Sequence, residues 1–378
     1  MKLQRNGRTK ALAIGAVALV SSLSLAACGS DNNTTASSST SGGSSASAAA
    51  ISCASKQAPF LGAGSTAQTD AIDVWKTAYG DACSGSTLNY NGVGSGAGVQ
   101  QFNQGKIAFA GSDAALKPAD VASSKAVCPG GQGIDLPMVG GLVSIIYNVQ
   151  GVSNLVLDAP TIAKIFNSEI TNWNDPAIKA LNPTATLPDL PIQAFHRSDD
   201  SGTTQNLTAY LAAASNNTWT YPVSKTWAGK GGQSASGSAG VSSQVKATAG
   251  SIGYAELSFA QSNNLNSALI STGASQPVAA TAANAATTIA TAKFVGTGND
   301  LALSLDYATK TDNAYPIVLV TYEIVCDKGN QAATLDTVKS FLTYTISDAG
   351  QAAIGNKGFV PLPKVVTDKV KAVIPTIA

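Results

Sequence analysis

From about residue 60 to the C-terminus, short dense apolar runs alternate with stretches whose apolar residues are spaced more widely. The segment 60–66, FLGAGST, reads as a strand entering a glycine turn, and 69–79 spaces Ile72, Trp75 and Tyr79 at helical intervals. The unit then repeats, with a strand at 87–93, a turn at 94–98 and a short helix at 99–104. A third strand at 106–110 delivers Gly111, Ser112 and Asp113 to its C-terminal end. Two apolar runs lie within 134–147, and the second, 142–147, has the density of a buried parallel strand. Helices are predicted at 161–166, 205–214, 241–247 and 279–292, with strands at 190–195 and 251–256. The segment 315–325, YPIVLVTYEIV, is the strongest strand signal, and helical patterns at 333–347 and 367–374 follow it. Strands alternating with helices in this way predict an α/β architecture, in which ligands bind beyond the carboxyl ends of the strands.

The first fifty residues follow another pattern. Lys2, Arg5, Arg8 and Lys10 precede an apolar run from residue 11 to 25, which ends in Leu25-Ala26-Ala27-Cys28. This is a secretory signal, and the LAAC ending resembles a lipobox whose Cys28 becomes the lipidated first residue after removal of 1–27. Residues 28–50 are mostly Ser, Ala, Thr, Gly and Asn, and form a flexible tether with a reach of about 25 Å. No later apolar run is long enough to span a bilayer. The expected location is therefore the extracytoplasmic face of a membrane, held there by lipid.

Composition narrows the options. A length of 378 suggests two domains plus tails, at about 150 residues each. Charged residues make up only 12%, and without 1–27 the chain keeps 19 basic against 22 acidic residues, a net charge of −3. No basic stripe offers a surface to nucleic acid, and an anion site must be built locally. With Cys28 lipidated, Cys53, Cys83, Cys128 and Cys326 remain, an even number in an oxidising compartment. Cys53–Cys83 and Cys128–Cys326 are the expected pairs, since Cys53 and Cys83 each precede a strand by a few residues. A metal centre is disfavoured by a single histidine and the lack of C-x-x-C spacing, and no cofactor is indicated.

The candidate chemistry centres on 195–204, FHRSDDSGTT, where a strand end meets a helix start. Free amides, hydroxyls and the Arg197 guanidinium meet there, and all favour an anion. Two further strand-to-helix turns carry the same small residues, Gly64-Ser65-Thr66 and Gly94-Ser95-Gly96. Three such turns with one arginine predict convergence on a small oxyanion, against the competing reading of three unrelated caps. Asp113 selects which oxyanion, because a carboxylate accepts a proton from phosphate but repels sulfate. Its competing role is a helix cap. Asp199 is placed to hold Arg197, and His196 is expected to be structural. Ser201, His196 and Asp199 include the residue types of a hydrolase triad but lie in one turn, without a G-x-S-x-G elbow. A phosphatase lacks its metal ligands, so no catalytic residue is assigned and the chain is not expected to be an enzyme. The Gly229-Lys230-Gly231-Gly232 segment lacks phosphate-loop spacing and is expected to be a surface loop.

GAGST at 62–66, NYNGVGSGAG at 89–98, AGSDAAL at 110–116, TNWNDPAIKALNP at 171–183, LPDLPIQAFHRSDDSGTT at 187–204 and GSIGYAEL at 250–257 together resemble the blocks of a known family. It comprises the phosphate-binding proteins of bacterial phosphate ABC importers, and the similarity spans roughly 60–365. The resemblance implies the type II periplasmic-binding-protein fold, two lobes joined by crossover strands: 51–147 with 300–378, and 148–299. It implies phosphate contacts from Thr66, Ala67, Ser95, Asp113, Arg197, Ser201, Gly202 and Thr203, with Gly64, Ser65, Gly94 and Asp199 in support. It further implies a monomer that delivers phosphate to the transmembrane subunits of an ABC permease. Two positions depart from the family pattern: Asp200 replaces a glycine and is expected to face solvent, and Ala67 replaces a bulky residue. A surface role in adhesion, a phosphatase and a sulfate-type oxyanion binder remain the alternatives.

Overall fold

One long strand, Gly133–Asn148, joins the two halves of the sheet. The structure, a computed structural model, describes residues 51–378; the expected signal 1–27, lipidation site Cys28 and tether 28–50 lie outside the described residues. Residues 133–142 of the long strand pair antiparallel with Val318–Cys326, and residues 143–148 pair antiparallel with Ser251–Glu256. Beyond Val318–Cys326 the sheet continues through Phe109–Ser112 and Phe60–Gly64 to Leu88–Gly92. Beyond Ser251–Glu256 it continues through Gln193–Arg197 to Gln233–Ala235. The outer strands on each side run parallel to their neighbours, which makes two α/β lobes around an antiparallel seam.

The α/β class follows the sequence pattern, but the direction of 142–147 does not. The expected parallel strand is antiparallel, and the two apolar runs of 134–147 belong to one strand. All its residues except Asn148 are buried. A strand covered on both faces loses the apolar/polar alternation whichever way its neighbours run, so apolar density reports burial and not direction.

Helix starts are the second difference. Helices were expected from 99 and 241, and they begin at Ser95 and Gly237, whereas the turn 201–204, expected to open the helix at 205–214, does so from Gly202. Their first turns are built from Gly, Ser, Thr and Ala, which include weak helix formers by intrinsic propensity. Tertiary contacts hold them instead. Gly98 lies so close to the Gly64 backbone that a side chain at 98 would collide with it, and Gly202 donates to Ser95 Oγ at 3.2 Å. Where propensity is better the reading is closer. Thr69–Ala82 buries Ala71, Ile72, Trp75 and Tyr79, and Trp75 Nε1 donates to the Gly350 carbonyl at 2.8 Å. Among the described residues no helix is long and apolar enough to cross a membrane.

Both expected disulfides form. Cys53–Cys83 ties the first described residues to the end of the Thr69–Ala82 helix, and Cys128–Cys326 ties the segment before the long strand to the end of its neighbour. The two bridges close loops of very different length, with sequence separations of 30 and 198. On chain-entropy grounds the longer bridge restricts the unfolded chain more, by about 1.7 kcal/mol. Replacing Cys128 and Cys326 by serine is therefore expected to lower unfolding stability more than replacing Cys53 and Cys83. Guanidinium unfolding of the two double variants checks this, and equal losses would contradict it.

Candidate functional site

Arg197, the last residue of its strand, is buried together with its charge. Such a group is tolerated only if its donors are matched. Nε donates to Asp199 Oδ1 at 2.8 Å and Nη2 donates to Asp199 Oδ2, a bidentate pair. Nη1 donates to Thr203 Oγ1 at 3.2 Å and to Ser238 Oγ at 3.1 Å. Burial alone would depress the guanidinium pKa, but the hydrogen bond and charge of Asp199, with the charge of Glu256, raise it above its ordinary value. Burial likewise pushes Asp199 up, and the Arg197 hydrogen bond and charge outweigh this and hold it below the usual carboxylate range. Asp199 Oδ1 also accepts the Gly237 amide at 3.0 Å.

Facing this pair, Asp113 follows the strand Phe109–Ser112 and is also buried. Its Oδ1 accepts from Ser65 Oγ at 2.5 Å and Thr321 Oγ1 at 2.7 Å, and its Oδ2 accepts from Ser95 Oγ at 3.1 Å. Burial raises its pKa, while the three hydroxyls and the Arg197 charge favour the ionised form. A carboxylate offers about four acceptor positions. Three are used, so Oδ2 retains one.

That oxygen faces the first turn of the Gly202–Ala214 helix. A Cβ added at Gly202 would sit 2.5 Å from Asp113 Cβ and 2.6 Å from Oδ2, so glycine alone permits this approach. Ser201 caps the helix by accepting the Thr204 amide at 3.2 Å, and the Gly202 amide donates to Ser95 Oγ at 3.2 Å. The helix itself provides no partner for the Thr203 amide.

The remaining expected residues collect around these groups. Thr66 Oγ1 lies 3.1 Å from Ser238 Oγ. The Ala67 amide donates to Ser65 Oγ at 3.0 Å, so here it is engaged within its own turn. The Gly94 amide donates to the Gly64 carbonyl at 2.8 Å, joining the first two turns. Gly94 has φ +89°, and a Cβ there would meet Asp199 Oδ2 at 2.5 Å, so a side chain is excluded on both counts. Asp200 is exposed, with Thr226 Oγ1 donating to its Oδ1 at 2.6 Å. His196 packs flat on Trp227, with ring centroids 4.9 Å apart.

Four neighbours escaped the sequence reading. Ser238 sits in Ser236-Gly237-Ser238, another Ser-Gly turn, concealed by the Gly/Ser-rich stretch around it. Glu256 ends the strand Ser251–Glu256 and accepts from Thr203 Oγ1 at 2.5 Å. Thr321 lies within an apolar strand and carried no local signal. Lys225, buried, donates to Ser112 Oγ at 3.3 Å, and burial lowers its pKa against the opposing charges of Asp120 and Asp113. Together these residues enclose hydroxyl and amide donors, one guanidinium and buried acceptors. That set suits a small tetrahedral oxyanion that still carries a proton.

Comparison with known proteins agrees with the fold. The model of the PBP superfamily domain matches residues 33–349. The phosphate-binding protein PstS 3 of Mycobacterium leprae is 44% identical over 367 residues, covering 96% of both chains. The phosphate-binding protein PstS of Xylella fastidiosa is 32% identical over 324 residues, covering 84% of this chain and 85% of that protein. Among solved structures, a high-affinity periplasmic phosphate-binding protein, PfluDING, bound with phosphate, is similar with a TM-score of 0.69. It is 24% identical, and the match covers 83% of this chain and 93% of that one.

The Arg197–Asp199 pair has a pH signature. Because the folded pKa of Asp199 is depressed, its contribution is full above the unfolded value of about 4 and is lost as pH falls through the folded one. Asp199→Asn leaves a buried guanidinium poorly matched and is expected to cost about 3 kcal/mol at pH 7. Urea unfolding of both proteins from pH 7 to pH 2 should show the difference shrinking below about pH 4. A difference independent of pH would argue against the ion pair.

Proposed function

The chain belongs to the PstS family of phosphate-binding proteins within the PBP superfamily, and from that membership we propose that it captures inorganic phosphate outside the membrane for import by an ABC permease. The observation that carries this is the juxtaposition of Asp113 and Arg197 with the first turn of the Gly202–Ala214 helix. Phosphate is bound by Arg197, by the hydroxyls of Thr66, Ser95, Ser201 and Thr203, and by the amides of Ala67, Gly202 and Thr203. The hydroxyl bonds within the site exchange for bonds to the ligand. The free position on Asp113 Oδ2 accepts the proton that phosphate retains, whereas sulfate meets a carboxylate with nothing to donate.

Lobes of 51–147 with 300–378, and 148–299, share the strand Gly133–Asn148, whose residues 143–148 pair with Ser251–Glu256 of the second lobe, and their closure buries the anion. The lipid on Cys28 holds the protein at the extracytoplasmic face, and closed, loaded protein is what the permease subunits receive. The protein acts as a carrier and not as a catalyst. Supporting this, Ser201 Oγ is engaged as a helix cap, and His196 is stacked on Trp227 with Nδ1 directed at the Arg197 carbonyl at 3.1 Å. Neither is arranged as a nucleophile with its base.

Calorimetric titration of the ligand-stripped protein tests the reading. Phosphate is expected to bind one to one and sulfate not at all. Arg197→Ala is expected to weaken phosphate binding about a hundredfold or more, since it removes a buried charge-assisted contact. Asp113→Asn is expected to narrow the phosphate preference by at least about tenfold, because an amide presents a donor to sulfate. Equal binding of both anions by the wild type would refute the role of Asp113, and binding of neither would refute the carrier.

A further inference from the structure

Glu256 is a second buried acid in the same network. It is 3% exposed, at the end of the strand Ser251–Glu256. Its Oε1 accepts from Thr203 Oγ1 at 2.5 Å, and that hydroxyl in turn accepts from Arg197 Nη1. Its other oxygen, Oε2, is buried and has no hydrogen-bond partner. The family reading assigns this residue no role, yet an unpartnered carboxylate oxygen is costly to bury beside an anion.

Resting on the phosphate reading above, we infer that Glu256 is a specificity-determining residue that shares a second proton with the bound phosphate through Oε2. Asp113 Oδ2 has room for one proton-bearing oxygen, and Glu256 Oε2 for another. The closed complex then holds two protons among ligand, Asp113 and Glu256, and the site takes phosphate as its dihydrogen form. The charged groups facing Glu256 are consistent with this. Arg197 reaches it from the neighbouring strand and Asp113 from across the cleft, while Asp199 acts through Arg197; Thr203 and Ser238 present only hydroxyls. One cation is already committed to Asp199, so two unprotonated acids and a dianion have too little positive charge to share.

The proton balance is explicit. Above neutral pH the free ligand is mainly the hydrogen phosphate dianion, and Glu256, ionised once the lobes part and water reaches it, has its pKa raised when closure buries it. Binding then takes one proton from solvent and places it between Glu256 Oε2 and a phosphate oxygen. No other bond is made or broken.

Titration calorimetry with inorganic phosphate at pH 8.5, in buffers of different ionisation enthalpy, reads this directly. The wild type is expected to take up close to one proton per phosphate bound, and its affinity to weaken about tenfold per pH unit above neutral. Glu256→Gln keeps the acceptor for Thr203 and supplies a permanent donor in place of the proton. It is expected to bind phosphate without proton uptake and with a flat affinity profile. Wild-type binding without uptake would overturn the inference and leave the carrier reading intact, as would uptake that persists in Glu256→Gln. Loss of uptake only in Asp113→Asn would transfer the proton to Asp113 and also overturn it. Absence of phosphate binding at every pH would instead bring down the carrier reading itself.

Discussion

A guanidinium buried without matched donors would unfold this site, and much of the local structure follows from matching Arg197. The bidentate pair with Asp199 fixes the turn after the strand Gln193–Arg197, two residues beyond the arginine itself. Asp199 in turn accepts the Gly237 amide and approaches Gly94 so closely that only glycine fits there. The remaining donor, Nη1, recruits Thr203 and Ser238, which sit in the first turns of two separate helices. One side chain thus sets the starts of those helices and the conformation of a third turn. The ordering of these groups is affordable because they are short hydroxyl side chains with little rotamer entropy to lose.

The same economy appears on the opposite wall. Asp113 is held by three hydroxyls and makes no salt bridge, since Arg197 is paired with Asp199 and acts on it only by its charge. Neutral dipoles therefore carry most of the compensation for buried charge, which suits a chain that is only 12% charged. Such a site does not depend on the overall field of the protein, and salt screens it less than a surface patch of lysines. Buried hydroxyls bonded to one another are also exchangeable, because each can turn its bond onto an incoming oxygen. The continuous strand Gly133–Asn148 gives the two walls a shared mechanical element, with each half of it belonging to a different part of the sheet.

Local chemistry made several features legible before any coordinates. The small-residue turns after the strands at 60, 88 and 193, the Ser-Asp step after the strand at 109, and the Arg-x-Asp spacing of 197 and 199 are each encoded within a few adjacent residues. Even the exposure of Asp200 was foreseeable, because the strand and turn leave that position pointing away from the guanidinium. The helix starts at Ser95 and Gly237 were read too late, since their first turns are stabilised by contacts with distant residues and not by propensity.

The sequence by itself determined the alternating α/β elements, the even cysteine set and the local turns that present donors. Each of these depends on neighbours along the chain. Tertiary structure alone decided that 142–147 runs antiparallel to its neighbours, because burial on both faces erases directional pattern. It alone brought Ser238, Thr321, Lys225 and Glu256 to Arg197 and Asp113, from positions 41 to 208 residues away for the two hydroxyls. A serine or threonine carries no sign of its partner until the sheet order is set, so the shape of the site became visible only once the chain had folded around it.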